Sequence, residues 1–174
     1  MKLNNLAKQI YEVSHLVGEF KLRSGLVSNE YFDKYLFESD PNILNEIAIN
    51  MKELIPEGTD LIAGLEMGGI PIATAVSLNS GIRCMFVRKQ AKEYGTCKIA
   101  EGTEYKGKKV CIIEDVVTTG GQIIKSVKEL RERGALVDRV LCVILRDSKA
   151  INILKNEGLE LSYVFTMDDL KGAI

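Results

Sequence analysis

Two adjacent carboxylates followed by threonines and glycines are the residues of this 174-residue sequence best suited to chemistry. Glu114 and Asp115 directly follow the apolar run 109–113, and Thr118-Thr119-Gly120-Gly121 comes next. Amide N–H groups at a helix start, together with hydroxyls, bind phosphate well. Carboxylates instead accept hydrogen bonds from vicinal hydroxyls or hold hydrated magnesium. The combination predicts a ribose 5-phosphate site, and the alternative is a turn in which Thr118 or Thr119 caps a helix.

A basic segment indicates the same class of ligand. Residues 83–109 carry eight Lys and Arg side chains against three Glu side chains, a net charge of +5 on a chain whose total is -1. A basic region on an otherwise acidic chain favours an anionic ligand, although a solvated lysine-rich loop is the alternative. The near-neutral total argues against a generic nucleic-acid surface, which needs a broad excess of basic residues.

Several functional classes are excluded by counts and motifs. The single histidine, His15, rules out multi-histidine metal sites, and the four cysteines form no C-x-x-C pair, which argues against zinc ribbons and thioredoxin-like centres. Neither a P-loop motif nor a dinucleotide fingerprint follows any predicted strand. The N-terminus opens no signal-like apolar stretch, and glycines and a proline interrupt the apolar run 61–77. We therefore expect a cytoplasmic protein with no membrane span.

Apolar runs that alternate with helical patterns must position these groups. We predict one domain over 1–174, with an N-terminal elaboration over 1–40 and an α/β core over 41–174. Strands are predicted at 60–64, 83–87, 109–113, 136–145 and 161–165, and helices at 2–17, 41–54, 69–78 and 123–134. Residues 19–37 are expected to form short extended segments, and 88–106 a long loop. Buried strands alternating with helices indicate a central parallel sheet with helices on both faces. Ligands bind such sheets beyond the carboxyl ends of the strands.

The block 113–122, Ile-Glu-Asp-Val-Val-Thr-Thr-Gly-Gly-Gln, resembles the phosphoribosyl-pyrophosphate (PRPP) motif of the type I phosphoribosyltransferases. Residues 86–96, followed by Glu101-Gly102, resemble the catalytic loop of the branch of that family that acts on orotate. Residues 18–33 are similar to the N-terminal signature of the same branch, and 64–71 to the family's pyrophosphate loop. The order and spacing match nearly the whole chain. The resemblance implies that 1–40 forms a small hood over the α/β core.

The resemblance also implies an activity. Ribose 5-phosphate would pass from PRPP to orotate, giving orotidine 5-monophosphate and pyrophosphate in de novo pyrimidine (UMP) biosynthesis. Mg²⁺ would be held mainly by PRPP and water, without a direct protein ligand. A homodimer is implied, with loop 88–101 of one subunit reaching the neighbouring site. The family further implies a non-proline cis peptide near Glu66–Met67.

Roles carry over to this sequence by position. Lys89, Lys92 and Asp115 would be catalytic, and Thr118 and Arg146 would contact orotate, the arginine facing its carboxylate. The expected PRPP contacts are Arg88, Lys89, Lys92, Tyr94, Glu114, Asp115, Val116, Val117, Thr118, Thr119, Gly120, Gly121 and Gln122. Further pyrophosphate or base contacts are expected from Arg23, Met67 and Gly68.

Three positions depart from the family pattern, and alternatives stay open. Glu114 stands where aspartate is commoner, Tyr94 where many relatives have histidine, and Arg23 where lysine is frequent, so we expect altered rates. Arg146 has a surface ion pair with Asp147 as its alternative role. The alternative functions are a phosphoribosyltransferase for a purine or uracil, and a PRPP-sensing regulator of the same fold.

Overall fold

The computed structural model describes residues 2–21, 25–90 and 98–174. Helices and strands alternate through most of this chain. In chain order the elements are α1 (Leu3–Ser14), β1 (His15–Lys21), β2 (Val27–Phe32), α2 (Lys34–Ser39), α3 (Pro41–Lys52), β3 (Leu61–Leu65), α4 (Gly69–Ser80), β4 (Cys84–Val87), β5 (Ala100–Glu101), β6 (Lys109–Val117), α5 (Gly121–Glu132), β7 (Leu136–Leu145), α6 (Lys149–Asn156), β8 (Glu160–Thr166) and α7 (Met167–Gly172).

A six-stranded sheet in the order β5-β4-β3-β6-β7-β8 forms the core. Every neighbouring pair is parallel except β4 and β5, which run antiparallel. Apolar side chains of α5 and α6 cover one face, and those of α1, α3, α4 and α7 cover the other. Because both faces are covered, β3 is buried along its whole length, as the continuous apolar run predicts. The expected α/β class is therefore confirmed, with a mostly parallel sheet.

The N-terminal elaboration is a helix followed by an antiparallel hairpin of β1 and β2. Helix α1 ends at Ser14, three residues before the predicted boundary, because the chain turns extended at His15. The placement of His15 on the N-terminal helix is therefore wrong. Its Nε2 lies 2.9 Å from Glu30 Oε2 across the hairpin, and its ring stacks on Tyr11.

Three further predictions differ from the structure. The segment expected to be extended up to residue 37 contains α2, which begins where the Asp33 side chain accepts a hydrogen bond from Tyr35 N. The predicted loop 88–106 contains the short strand β5. Strand β6 continues four residues beyond the predicted end, through Val117. The remaining core strands begin and end within one residue of their predicted bounds.

The long apolar run 61–77 folds as strand β3, a turn and most of α4. Among the described residues, no helix has the length and apolar character needed to cross a membrane.

Candidate active site

The two acidic residues of the motif, Glu114 and Asp115, lie within the second half of β6 and not in the turn after it. Alternation along the strand sends them to opposite faces, so Asp115 is fully buried while Glu114 is half-buried. The backbone N–H of Asp115 donates to Glu114 Oε1 at 3.0 Å, and that of Val116 donates to Asp115 Oδ1. The strand therefore fixes both carboxyls before any ligand arrives.

The turn after β6 delivers an open helix start. Gly120, at φ +76°, is the N-cap of α5 and supplies no side-chain hydrogen bond, so the alternative of a threonine cap is wrong. The first intrahelical bond runs from Ile124 N to Gly120 O, which leaves the amides of 121–123 without an acceptor inside the helix. Thr118 and Thr119 are exposed beside them. Two exposed hydroxyls therefore directly precede a helix start with free amides, and the phosphate site at this turn stays a prediction.

The turn between β3 and α4 packs directly on β6. The Glu66–Met67 peptide is cis, which confirms that prediction. A Cβ at Gly68 would overlap Asp115 Oδ2, and one at Gly69 would overlap the carbonyl of Ile113. The glycines thus bring the backbone of this turn into contact with the buried carboxylate, while the Met67 side chain is 56% exposed.

Two residues of α2 complete the acidic cluster, and sequence reasoning missed both. Lys34 Nζ forms an ion pair with Asp115 Oδ2, where the lysine side chain is 33% exposed and the aspartate 1%. Glu38 is 94% buried beside the same carboxylate, with only 6% of it exposed. The sequence signal that could have revealed them is Asp33, a helix-capping residue, followed by Lys34 and Glu38 at a spacing that places both on one face of a helix.

The carboxyl groups of this cluster differ in how tightly they hold a proton. Burial works to raise the pKa of Asp115, but hydrogen bonds from Glu114 and Lys34 and the lysine's charge bring it below its usual value. Burial, and then the charge of Asp115, raise the pKa of Glu38 to about 9 and that of Glu114 well above its usual value. The ammonium of Lys34 therefore faces the carboxylate of Asp115, and the neighbouring carboxyls of Glu38 and Glu114 hold their protons more tightly than free carboxyls do.

Thr118 and Arg146, predicted to share a ligand, line one cleft of about 430 Å³ at the carboxyl ends of β6 and β7. The Arg146 guanidinium carbon lies 5.9 Å from the centre of the Phe32 ring, within cation–π range. Asp147 Oδ1 accepts instead from Lys149 N at 2.9 Å. Arg146 also borders a second cleft of about 440 Å³ beneath the β1–β2 hairpin. The guanidinium thus lies between the core and the β1–β2 hairpin.

Several of the predicted PRPP contacts lie within the described residues. Lys89 is exposed, and its backbone N–H donates to Glu66 Oε2 at 2.9 Å, which ties the loop start to the β3–α4 turn. Arg88 pairs with Glu101 at 3.5 Å across β4 and β5. Val117 is buried, and Gln122 Nε2 lies 3.2 Å from Ser126 Oγ. The expectations for Arg23, Lys92 and Tyr94 lie outside the described residues.

Comparisons with known proteins agree on one family. The model of the phosphoribosyl transferase domain matches residues 37–165. An orotate phosphoribosyltransferase from a Nocardioides species is 51% identical over 168 residues, covering 97% of this chain and 94% of its own. The Mycobacterium tuberculosis orotate phosphoribosyltransferase in complex with Fe(III) dicitrate superposes with a TM-score of 0.87 at 30% identity, covering 97% and 98% of the two chains. The same enzyme in complex with PRPP gives 0.82 at 27% identity, with the same coverage.

Proposed function

This chain belongs to the phosphoribosyltransferase family, in the branch of the orotate phosphoribosyltransferases. We propose that it transfers ribose 5-phosphate from PRPP to orotate in the clefts at the carboxyl ends of its sheet strands. The products are orotidine 5-monophosphate and pyrophosphate, a step of pyrimidine (UMP) biosynthesis. The observation that carries the proposal is the convergence of Thr118 and Arg146 in one cleft, next to the uncapped start of α5.

The 5-phosphate binds at the start of α5. The amides of 121–123, the hydroxyls of Thr118 and Thr119 and the positive end of the helix dipole all favour a dianion there. Gly120 permits the left-handed turn that exposes them. Val116, Val117 and Gln122 contribute mainly through their backbone, since Val117 is buried and Gln122 meets Ser126.

The ribose hydroxyls bind at Glu114 and Asp115. Glu114 retains partial exposure and accepts or donates directly. Asp115 lies beneath Gly68 and is held by Val116 N and by the ion pair with Lys34, so it meets the sugar as a fixed, charged partner of Glu114. A fixed ribose supports catalysis because positive charge develops on the sugar as C1 loses pyrophosphate to orotate N1, and rigid alignment lowers the entropic cost.

Negative charge develops on the leaving pyrophosphate and calls for cations. Lys89 is held at the β3–α4 turn through Glu66, and we assign Arg88 and Lys92 to the same role. Met67, Gly68 and Arg23 are assigned as further contacts, and Tyr94 as a polar contact in the loop. Fixed cations near a developing anion are worth several kcal/mol in such reactions.

Mg²⁺ fits this site as a partner of the substrate. Carboxylate oxygens suit it, and Glu114 is the half-buried carboxyl able to accept from its hydration shell. Bound with PRPP, the ion supplies charge neutralisation on the pyrophosphate. Within the described ranges no group of His, Cys, Asp or Glu side chains is arranged to hold a metal by itself.

Orotate is a planar anion, and its carboxylate suits the guanidinium of Arg146, which can donate two hydrogen bonds at once. The variant Arg146→Met tests this assignment. We expect KM for orotate to rise roughly 10- to 100-fold, since a charge-assisted hydrogen bond is lost, while KM for PRPP stays near wild type. Arg139→Met, at the opposite end of β7, is the matched control. Equal KM values for orotate in the two variants would remove Arg146 from the base site.

The assembly and the location of the protein are proposed as well. We propose a homodimer in which loop 88–101 closes over the neighbouring site and excludes water. Light scattering of the purified protein tests whether it is a dimer. We propose a cytoplasmic location, which fits free thiols at Cys84, Cys111 and Cys142.

A further inference from the structure

Helix α2 places two side chains against the carboxylate that the motif makes central. Lys34 and Glu38 are four residues apart and therefore share one face of the helix. Lys34 Nζ pairs with Asp115 Oδ2. A Cβ at Gly68 would come 2.8 Å from Glu38 Oε1 and would overlap Asp115 Oδ2, so both carboxyls lie against the backbone of the same turn.

We propose that Lys34 and Glu38 are positioning residues for the ribose subsite, which fix the carboxylate of Asp115 beneath the 66–69 turn. The inference rests on the proposed function. It adds two residues from the N-terminal part of the chain to a site otherwise built by strands β3, β6 and β7.

The carboxylate of Asp115 is buried away from water. A buried carboxylate is costly unless it is paired and hydrogen-bonded, and Lys34 is the ammonium that faces Asp115. Buried Glu38, whose pKa is raised by burial and by Asp115, is the neutral neighbour in this group. Without Lys34, Asp115 takes up a proton or turns away. In either case Glu114 loses its charged partner and the ribose loses a preformed acceptor.

A role limited to fold stability would act on every ligand alike, so the test compares two ligands. Inorganic phosphate can bind the amides at the start of α5 but has no sugar hydroxyls, whereas ribose 5-phosphate carries both a phosphate and the hydroxyls. For Lys34→Met we expect calorimetry to show ribose 5-phosphate binding weakened roughly 10- to 100-fold, the usual effect of losing a charge-assisted contact, with phosphate binding unchanged. Lys34→Arg restores most of the lost affinity because it keeps the positive charge.

Lys128→Met is the control, since Lys128 on α5 forms an exposed ion pair with Glu157 at 3.1 Å, and the variant should bind both ligands as wild type does. If Lys34→Met does not fold, Glu38→Leu against Glu38→Gln takes its place: leucine removes the hydrogen-bonding group and weakens ribose 5-phosphate binding, whereas the neutral amide keeps it.

Two results would overturn the inference. One is wild-type ribose 5-phosphate affinity in Lys34→Met or Glu38→Leu, and the other is an equal loss for both ligands. Failure of the wild-type protein to convert orotate is a separate result that sinks the proposed function. A wild type that turns over orotate, with variants that bind ribose 5-phosphate normally, removes the positioning role alone.

Discussion

Gly68 is the single residue at which the site tolerates least change. Its φ of -66° is ordinary, so the requirement for glycine comes from the close approach to Asp115 and Glu38 and not from backbone conformation. We expect Gly68→Ala to displace the Asp115 carboxylate and to lower kcat/KM for PRPP roughly 10²-fold, the effect of a displacement of about 1 Å in a preorganised site. Steady-state kinetics at saturating orotate measures it.

The matched control for that change is Gly172→Ala in α7, where a Cβ would meet nothing within 4 Å. It should leave the kinetics as in wild type. Full activity in Gly68→Ala would show that the turn and the carboxylate are not coupled.

Lys89 is the second residue whose role can be measured alone. Its backbone is fixed to Glu66 while its side chain is exposed, so replacement by alanine should remove charge without disturbing the fold. We expect Lys89→Ala to lower kcat by roughly 10²–10³, as is typical when one charge-stabilising donor is lost. Lys108→Ala, exposed in the same basic segment but at the amino end of β6, is the control. Similar turnover in both variants would withdraw the leaving-group role of Lys89.

At this scale the motif residues were predictable and their supports were not. Glu114, Asp115, Thr118 and Arg146 follow strands in the sequence, and parallel strands bring their carboxyl ends together. Lys34 and Glu38 lie in a six-residue helix whose short, aromatic sequence fits an extended segment equally well. Their contact with Asp115 joins positions about 80 residues apart, which no local pattern encodes.

Among the elements, the start of α5 carries the most function. Gly120→Ala places a side chain at φ +76° and within 3.0 Å of Leu154 Cδ2. The left-handed conformation alone costs about 1–2 kcal/mol, so we expect a lower free energy of unfolding in urea. We also expect weaker binding of ribose 5-phosphate, because the turn that presents the amides is displaced.

Gly81→Ala separates the two effects. Gly81 ends α4 at φ +77°, and its Cβ would meet nothing within 4 Å. It should lose similar stability and keep ribose 5-phosphate affinity. If both variants bind ribose 5-phosphate alike, the start of α5 does not hold the phosphate.

The ends of the elements were predicted correctly where the apolar pattern alone defined them, and wrongly where polar residues lie near the end of a strand. β7 was placed at its observed bounds because apolar residues dominate 136–145, with Asp138 and Arg139 as the polar exceptions. The predicted end of β6 was too early because Glu114 and Asp115 are polar and follow an apolar run, which is typical of a loop. Pairing of β6 with β7, as far as Leu145, keeps both residues in the strand. β5 has only two residues, and its pairing with β4 is a tertiary effect.

For the whole molecule, the acidic cluster predicts a pH dependence of stability. An unfolded Glu38 loses its proton near its ordinary value of 4.5, but the folded chain holds that proton up to about pH 9. Unfolding between these values therefore releases a proton, so this group's contribution to stability falls as the pH rises. In Glu38→Gln that contribution is absent, and the stability of the variant relative to wild type should increase from pH 6 to pH 9.

Urea unfolding of both proteins at several pH values measures this difference. Glu12→Gln, on the exposed side of α1, should show no such trend relative to wild type. A constant difference between Glu38→Gln and wild type would mean that Glu38 is ionised in the folded protein throughout.

The overall architecture followed from the alternation of apolar strands with helices, which requires a sheet covered on both faces. The β1–β2 hairpin did not follow from that pattern, because a helix predicted through residue 17 covers the start of the hairpin at His15, where Val17 is 82% exposed. Helical spacing counts apolar residues and does not show which of them the core covers.

The central claim is that this chain uses orotate as the base, and one turnover measurement tests it most directly. The purified wild-type protein is given PRPP with orotate, uracil, hypoxanthine or adenine, with and without magnesium, and pyrophosphate release is followed. Our account predicts magnesium-dependent release with orotate, with orotidine 5-monophosphate formed in equal amount, and little release with the other bases. Turnover of a purine or uracil in preference to orotate would contradict it.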